Sequence, residues 1–191
     1  MEWIMDKCFN RALFLDRDGV INLDVGYLHE EEHTRFNSGI FELVKVANEN
    51  KYHVSIITNQ SGIGRGYYDV NQFWKFMNWM KHQFYKKGCR IDSIYYCPFH
   101  VEAVIEKYRK DSFYRKPNPG MILEAMLNWE LDLKNSVLIG DKQSDIEAGK
   151  AAGVGINLLL DPNCKSQIGS HQVCVSSLSE AERYLVMQKC D

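Results

Sequence analysis

No stretch of this sequence reaches the about eighteen apolar residues that a membrane-spanning helix needs. Glu2, Asp6, Lys7 and Arg11 interrupt the N-terminal segment before the apolar core of a secretory signal can form. A basic surplus is missing too. The net charge is −2, from 23 lysines and arginines against 25 acidic residues, whereas a dedicated nucleic-acid binder clusters positive charge. The six cysteines (Cys8, Cys89, Cys97, Cys164, Cys174 and Cys190) include no close pair. Without a secretory signal they read as reduced thiols. Repeats and low-complexity stretches are absent. What is left is a cytoplasmic protein with no membrane and no nucleic-acid partner, whose 191 residues suffice for one domain with a substantial core.

What the sequence does contain is an alternation of short apolar runs and amphipathic segments. Ala12-Leu13-Phe14-Leu15 is apolar throughout, the pattern of a strand covered on both faces. Residues 54–57, 93–96, 137–139 and 156–159 read the same way, with 173–175 as an added edge strand. Ile40, Leu43, Val44 and Ala47 recur at helical spacing. So do Val70, Phe73, Trp74, Met77 and Phe84, behind an Asp69 cap and ahead of a terminating Gly88. Asn118 is placed to cap a third helix, with Pro119 at its first position and the stripe Ile122, Ala125, Met126, Trp129. Ser144 with Glu147, and Ser177 with Glu180, have capping-box spacing. The alternation predicts an α/β fold, a single parallel sheet flanked by helices, as one domain over residues 1–191. Two long polar connections, 19–38 and 97–115, each follow the C-terminal end of a predicted strand, where open α/β sheets bind ligands.

Four short motifs carry the chemistry. Asp16 and Asp18 directly follow the first strand. One carboxylate of such a pair can attack phosphorus while the other protonates the leaving oxygen. Thr58 ends the second strand and leads into Asn59-Gln60-Ser61-Gly62, a hydroxyl and a turn suited to phosphoryl oxygens. Lys116 stands between Arg115 and Pro117 at a helix start, where an ammonium can neutralise a transferring phosphoryl group. Asp141 and Asp145 follow the fourth strand and offer the hard oxygens magnesium prefers. Each motif alone reads equally well as an ordinary polar turn. Together, in order and each at a strand end or helix start, they point to magnesium-dependent phosphoryl transfer.

The set Asp16-x-Asp18, Thr58, Lys116 and Gly140-Asp141-x3-Asp145 resembles the four motifs of the haloacid dehalogenase superfamily. One branch is closer still. Leu15-Asp16-Arg17-Asp18-Gly19, Gly26-Tyr27-Leu28-His29, Thr58-Asn59-Gln60-Ser61-Gly62-Ile63-Gly64-Arg65-Gly66, Tyr95-Tyr96-Cys97-Pro98 and Arg115-Lys116-Pro117-Asn118-Pro119-Gly120-Met121 resemble the D-glycero-D-manno-heptose 1,7-bisphosphate 7-phosphatases. The similarity spans about residues 11–160, and histidinol-phosphate phosphatases carry nearly the same string.

The resemblance implies a Rossmann-like sheet without a large cap domain. It implies a monomeric enzyme acting on a sugar phosphate, in the supply of nucleotide-activated heptose for bacterial lipopolysaccharide. Asp16 would be the nucleophile, Asp18 the acid and base, and Thr58 and Lys116 the phosphoryl clamps. Asp16, the backbone carbonyl of Asp18, and Asp141 would hold magnesium. Asp24, Val25, Gly26, Tyr27, Asn59, Gln60, Ser61, Arg115 and Lys142 would contact the substrate, and Arg65 its second phosphate. Zinc is not expected. Relatives close a four-ligand zinc site with Cys-x-His and Cys-x-Cys, whereas this chain keeps Cys97 but has Phe99, Ser112 and Tyr114 at the other three positions. Val101, Val104, Ile105, Tyr108, Phe113 and Tyr114 are expected to order that loop instead, the first four as a short helix. Histidinol phosphate is the alternative substrate. A catalytically idle relative that binds phosphorylated ligands is the reading from another class, disfavoured because every catalytic position holds the right chemical type.

Overall fold

The computed structural model describes residues 10–164, 168–169 and 172–186. Seven strands form one sheet: β1 (Ala12–Leu15), β2 (His53–Asn59), β3 (Ser93–Cys97), β4 (Val137–Gly140), β5 (Ile156–Leu160), β6 (Ile168–Gly169) and β7 (Gln172–Val175). Their spatial order is β3-β2-β1-β4-β5-β7-β6. Pairing is parallel from β3 through to β7, and the edge strand β6, unforeseen in the sequence, pairs antiparallel with β7. The chain works outward from β1 to β3 and then returns to lay β4 against the other side of β1. Successive crossovers therefore leave β1 and β4 in opposite directions, which opens a crevice beyond their C-terminal ends.

The helices are α1 (Ile40–Glu49), α2 (Ser61–Arg65), α3 (Val70–Lys86), α4 (Gly120–Trp129), α5 (Gln143–Ala152), α6 (Leu178–Ala181) and α7 (Arg183–Val186). The two-residue period of β1 divides the core between them. Leu13 and Leu15 pack into one layer with Leu43 of α1 and Phe73 and Met77 of α3. Ala12 and Phe14 point the other way, into a layer with Ile122 and Ala125 of α4 and Ile146 of α5. The predicted α1 stripe is fully buried. In α3 the buried stripe is Phe73, Phe76, Met77, Met80 and Phe84, with Val70 and Trp74 only partly covered. Asp69 caps it as expected: its carboxylate accepts from Gln72 N at 2.8 Å, and the Gln72 side chain accepts from Asp69 N at 2.8 Å.

Other local expectations need correction. Helix α4 starts at Gly120 with Pro119 at the cap, and Asn118 instead donates to the Ser112 carbonyl at 3.1 Å. The carboxylate that closes the first turn of α5 is Asp145, not Glu147, accepting from Lys142 N at 3.0 Å. Ser177 does accept from Glu180 N, but the Glu180 carboxylate accepts from Ser176. The helix expected over 101–108 shrinks to one turn at Glu106–Tyr108, and Val101, Val104 and Phe113 are exposed. Spacing marks which residues share a face but not whether a surface exists to cover it. The loop is instead tied to α2, where Gly64 O accepts from Ile105 N at 2.9 Å and the missing Gly64 side chain leaves room for Ala103.

The thiol reading is also corrected. Cys164 and Cys174, 6.0 Å apart at Cα, form a disulfide, because the chain after β5 is brought beside β7, a proximity that sequence separation hides. Cys89 and Cys97 are free and buried, and Cys8 and Cys190 lie outside the described residues. Among the described residues no helix is long and apolar enough to cross a membrane.

Stability should follow burial more than capping. Phe14→Ala, at a fully buried central-strand position, is expected to cost about 3–5 kcal/mol in urea unfolding. Asp69→Ala should cost about 1 kcal/mol. Equal costs would contradict this picture of the core.

Candidate active site

Asp16 stands one residue beyond β1, where its N–H donates to Ile139 O at 3.0 Å and continues the pairing with β4. Its Oδ1 accepts from Arg17 N at 2.8 Å and from Lys116 Nζ at 2.7 Å. The same ammonium reaches Asp145 Oδ1 at 2.6 Å and Ile57 O at 3.0 Å, which uses all three of its hydrogens. Lys116 is presented at this point by Asn59, whose Oδ1 accepts from Lys116 N and whose Nδ2 donates to Lys116 O, both at 3.1 Å. Asp145 fits against the end of β4 because Gly140 has no side chain; a Cβ there would lie 2.2 Å from the Asp145 Cβ.

Single ligand atoms of Asp16, Asp141 and Asp145 all lie within 4.8 Å of one another. With all three carboxyls ionised, the one ammonium leaves the cluster two charges negative, the charge a divalent cation neutralises. Asp141 Oδ1 is buried with no hydrogen-bond partner, the condition of an oxygen suited to a metal. Gly19, at φ +96°, is held against Asp141, and a Cβ would meet its Oδ2 at 2.2 Å. The residues present therefore fit magnesium. Burial, joined by the charges of Asp145 and Asp18, pushes Asp16 up to about 7 despite the opposing pull of Lys116. Burial alone would depress Lys116, but Asp16 and Asp145 outweigh it and raise it. Burial likewise raises Asp141 against the influence of Lys142.

Asp18 faces a different setting. Arg17, fully buried, donates from Nε and Nη2 to both oxygens of its carboxylate, the shortest contact being 2.8 Å. The guanidinium is anchored by Leu28 O at 2.8 Å and by the face of Phe76. Asn22 Nδ2 and Gln60 Nε2 complete the hold on Asp18 at 3.0 and 3.1 Å. Its side chain thus lies outside the three-carboxylate cluster, and Asp145 stands in that cluster instead.

Asp16, Asp18, Thr58 and Lys116 share a polar cleft of about 650 Å³, whose walls include Asp24, Gly26, Tyr27, Asn59, Gln60, Ser61, Arg115 and Lys142. Val25 faces an adjoining recess. Arg65 is not in the cleft wall; it pairs with Glu102 at 3.2 Å, because residues 61–65 coil into α2 and turn it toward the 97–115 loop. Asn59 and Gln60 line the cleft with their amides committed to protein partners. Lys142 reaches across the cleft mouth to Asp24 at 2.9 Å. Cys97, Phe99, Ser112 and Tyr114 offer a thiol, a phenyl ring, a hydroxyl and a phenol, which is not a zinc donor set. Arg17, Asn22 and Tyr68 are the site residues that the sequence reading missed, whereas Asp145 was read as a candidate magnesium oxygen but left out of the ligand set the resemblance implies.

A family profile described as HAD-hydrolase-like matches residues 113–171. The chain is 51% identical over 161 residues to D-glycero-alpha-D-manno-heptose-1,7-bisphosphate 7-phosphatase of Burkholderia mallei, covering 84% of this chain and 85% of that one. It is 40% identical to the corresponding beta-anomer phosphatase of Vibrio cholerae, covering 93% and 97%. A solved D,D-heptose 1,7-bisphosphate phosphatase from B. bronchiseptica, complexed with magnesium and phosphate, matches with a TM-score of 0.79. At 22% identity, over 92% of this chain and 98% of its own, it speaks for the fold.

The metal cluster predicts a pH-dependent response to magnesium without substrate. Asp16 titrates near 7 when folded and near 3.8 when unfolded, so the folded protein holds the extra proton between those values. Stability of the metal-free protein should therefore fall as pH rises through that window. Magnesium competes with that proton, so the rise in Tm it produces should grow from pH 4 to pH 7. A magnesium shift independent of pH would contradict the assignment.

Proposed function

Because this chain belongs to the heptose-1,7-bisphosphate 7-phosphatase family of haloacid dehalogenase-like hydrolases, we propose that it removes the 7-phosphate of D-glycero-D-manno-heptose 1,7-bisphosphate through an aspartyl-phosphate intermediate. The observation that carries this reading is Asp16, buried beside the Lys116 ammonium at the end of the central strand and open to a polar cleft. Asp16 attacks phosphorus and the bond from phosphorus to the 7-oxygen breaks. Asp18 supplies the proton that the leaving oxygen takes up. Asp18 then takes a proton from water as that water attacks the phosphorus of the acyl phosphate, releasing inorganic phosphate and restoring Asp16. Thr58 holds a phosphoryl oxygen, while the Lys116 ammonium, its three hydrogens given to Asp16, Asp145 and the Ile57 carbonyl, neutralises the phosphoryl charge from beside Asp16. Asp16, Asp141 and the Asp18 backbone carbonyl, with Asp145 beside them, would hold magnesium, which would supply charge neutralisation for the phosphate. The cluster's surplus of negative charge supports that assignment.

Arg115 and Lys142, cations in the cleft wall, are the partners for the remaining phosphate. Asp24, Gly26 and Tyr27 face the sugar, and Val25 the recess beside it. The reading commits to position 7, which relatives named for the alpha and the beta anomer have in common. The product keeps its anomeric phosphate, the group that nucleotidyl transfer requires. The enzyme is monomeric and cytoplasmic in this reading.

A phosphate-release screen over sugar bisphosphates and histidinol phosphate tests it. The heptose bisphosphate should give the highest kcat/KM, Asp16→Asn should fall to background, and chelation should silence the wild type until magnesium is restored. A higher kcat/KM for histidinol phosphate would replace the proposed substrate. Protein purified without added metal should contain no stoichiometric zinc by elemental analysis.

A further inference from the structure

Gln60 and Tyr68 are buried in the cleft wall beside the phosphoryl site, 2% and 4% exposed, and the proposed reaction gives neither a part. Gln60 Nε2 lies 2.7 Å from Thr58 Oγ1 and 3.1 Å from Asp18 Oδ2, and its Oε1 lies 2.5 Å from the Tyr68 hydroxyl. Once Asp18 has given its proton to the leaving oxygen it is a carboxylate, which only accepts, so the end of the amide facing it is the NH₂. Its two hydrogens then go one to Asp18 and one to Thr58. The opposite end is the carbonyl, so the Tyr68 hydroxyl donates to it. Burial pushes the Tyr68 phenol up to about 12, and it keeps that proton. Thr58 Oγ1 is consequently an acceptor toward Gln60, and its own single proton points elsewhere. The free direction is the cleft that Thr58 lines.

We infer that Tyr68, acting through Gln60, directs the Thr58 hydroxyl proton toward the transferring phosphoryl group and fixes the Asp18 carboxylate against the Arg17 guanidinium. Both are positioning residues: the Gln60 amide, though in the cleft wall, is committed to Thr58, Asp18 and Tyr68. The inference rests on the proposed reading of Asp16 and Thr58 as the phosphoryl site. Two further features hold the relay in place. A Cβ on Gly62 would lie 2.4 Å from the Tyr68 ring, so α2 carries no side chain where that ring passes. His29 stacks on the other side of the ring, 4.6 Å between centroids at 16°.

Tyr68→Phe keeps the ring and removes the donor. On the substrate with the highest wild-type kcat/KM, it should lower kcat on the order of tenfold, less than the loss of a direct phosphoryl donor. KM should change by less than about twofold and Tm should barely move, a split that a packing defect would not produce. Gln60→Leu should lower kcat at least as far, and adding Tyr68→Phe to it should have no further effect. Wild-type kcat in Tyr68→Phe, or additive losses in the double variant, would overturn the inference. Should Tyr68→Phe fold poorly, wild-type kcat in Gln60→Leu overturns it alone. Asp16→Asn separates the two claims: an active Asp16→Asn defeats the reading of the site itself, whereas an inactive one beside an unaffected Tyr68→Phe defeats only the relay.

Discussion

One buried ammonium organises the site. Lys116 Nζ touches Asp16, Asp145 and the Ile57 carbonyl, and so ties together the ends of β1 and β2 and the start of α5. Removing such a partner from a buried cluster leaves its carboxylates uncompensated, which is far more costly than losing a surface ion pair. The backbone around Lys116 is built for this purpose: the Asn59 amide grips its N–H and its carbonyl together. One lysine cannot balance three carboxylates. The remaining negative charge makes the site a receiver for a cation and, with it, for a phosphate.

The strand order explains why these groups meet. Asp16 and Asp141 leave adjacent parallel strands, β1 and β4, at the place where the chain's crossovers diverge and no helix covers the strand ends. Two glycines permit the close approach. Gly19 lets the Asp18 turn lie against Asp141, and Gly140 lets Asp145 fold back onto its own strand. Any side chain at either position would occupy space now filled by a carboxylate.

The two acidic residues of the first motif, given separate chemistry in the proposed reaction, have different surroundings. Asp16 lies among carboxylates and one shared ammonium, the setting proposed for metal and phosphorus. Asp18, two residues on, is gripped by a guanidinium, two amides and, at one remove, a tyrosine. Sequence spacing puts them on one turn. Burial and partners give them different work.

How much was legible follows from which interactions are local. The strands, the α1 stripe and the Asp69 cap depend on neighbours within a turn or a pleat, so composition and period carried them. The motif residues Asp16, Asp18, Thr58 and Lys116 were legible as a set because each sits at a strand end or helix start that the pattern locates. Sequence alone could not say that Arg17, between two aspartates, is fully buried, that Arg65 turns to Glu102, or that Cys164 lies beside Cys174. Nor could it give the Tyr68 proton a destination. Those facts depend on contacts that only the folded chain makes, whether the partners are 10 residues apart, as Cys164 and Cys174 are, or 100, as Lys116 and Asp16 are. The sequence by itself determined the sheet, the order of the motifs and the kind of chemistry they can do. Tertiary structure decided which carboxylate takes which role, because a side chain's charge and direction are set by its burial and by partners that only folding brings near.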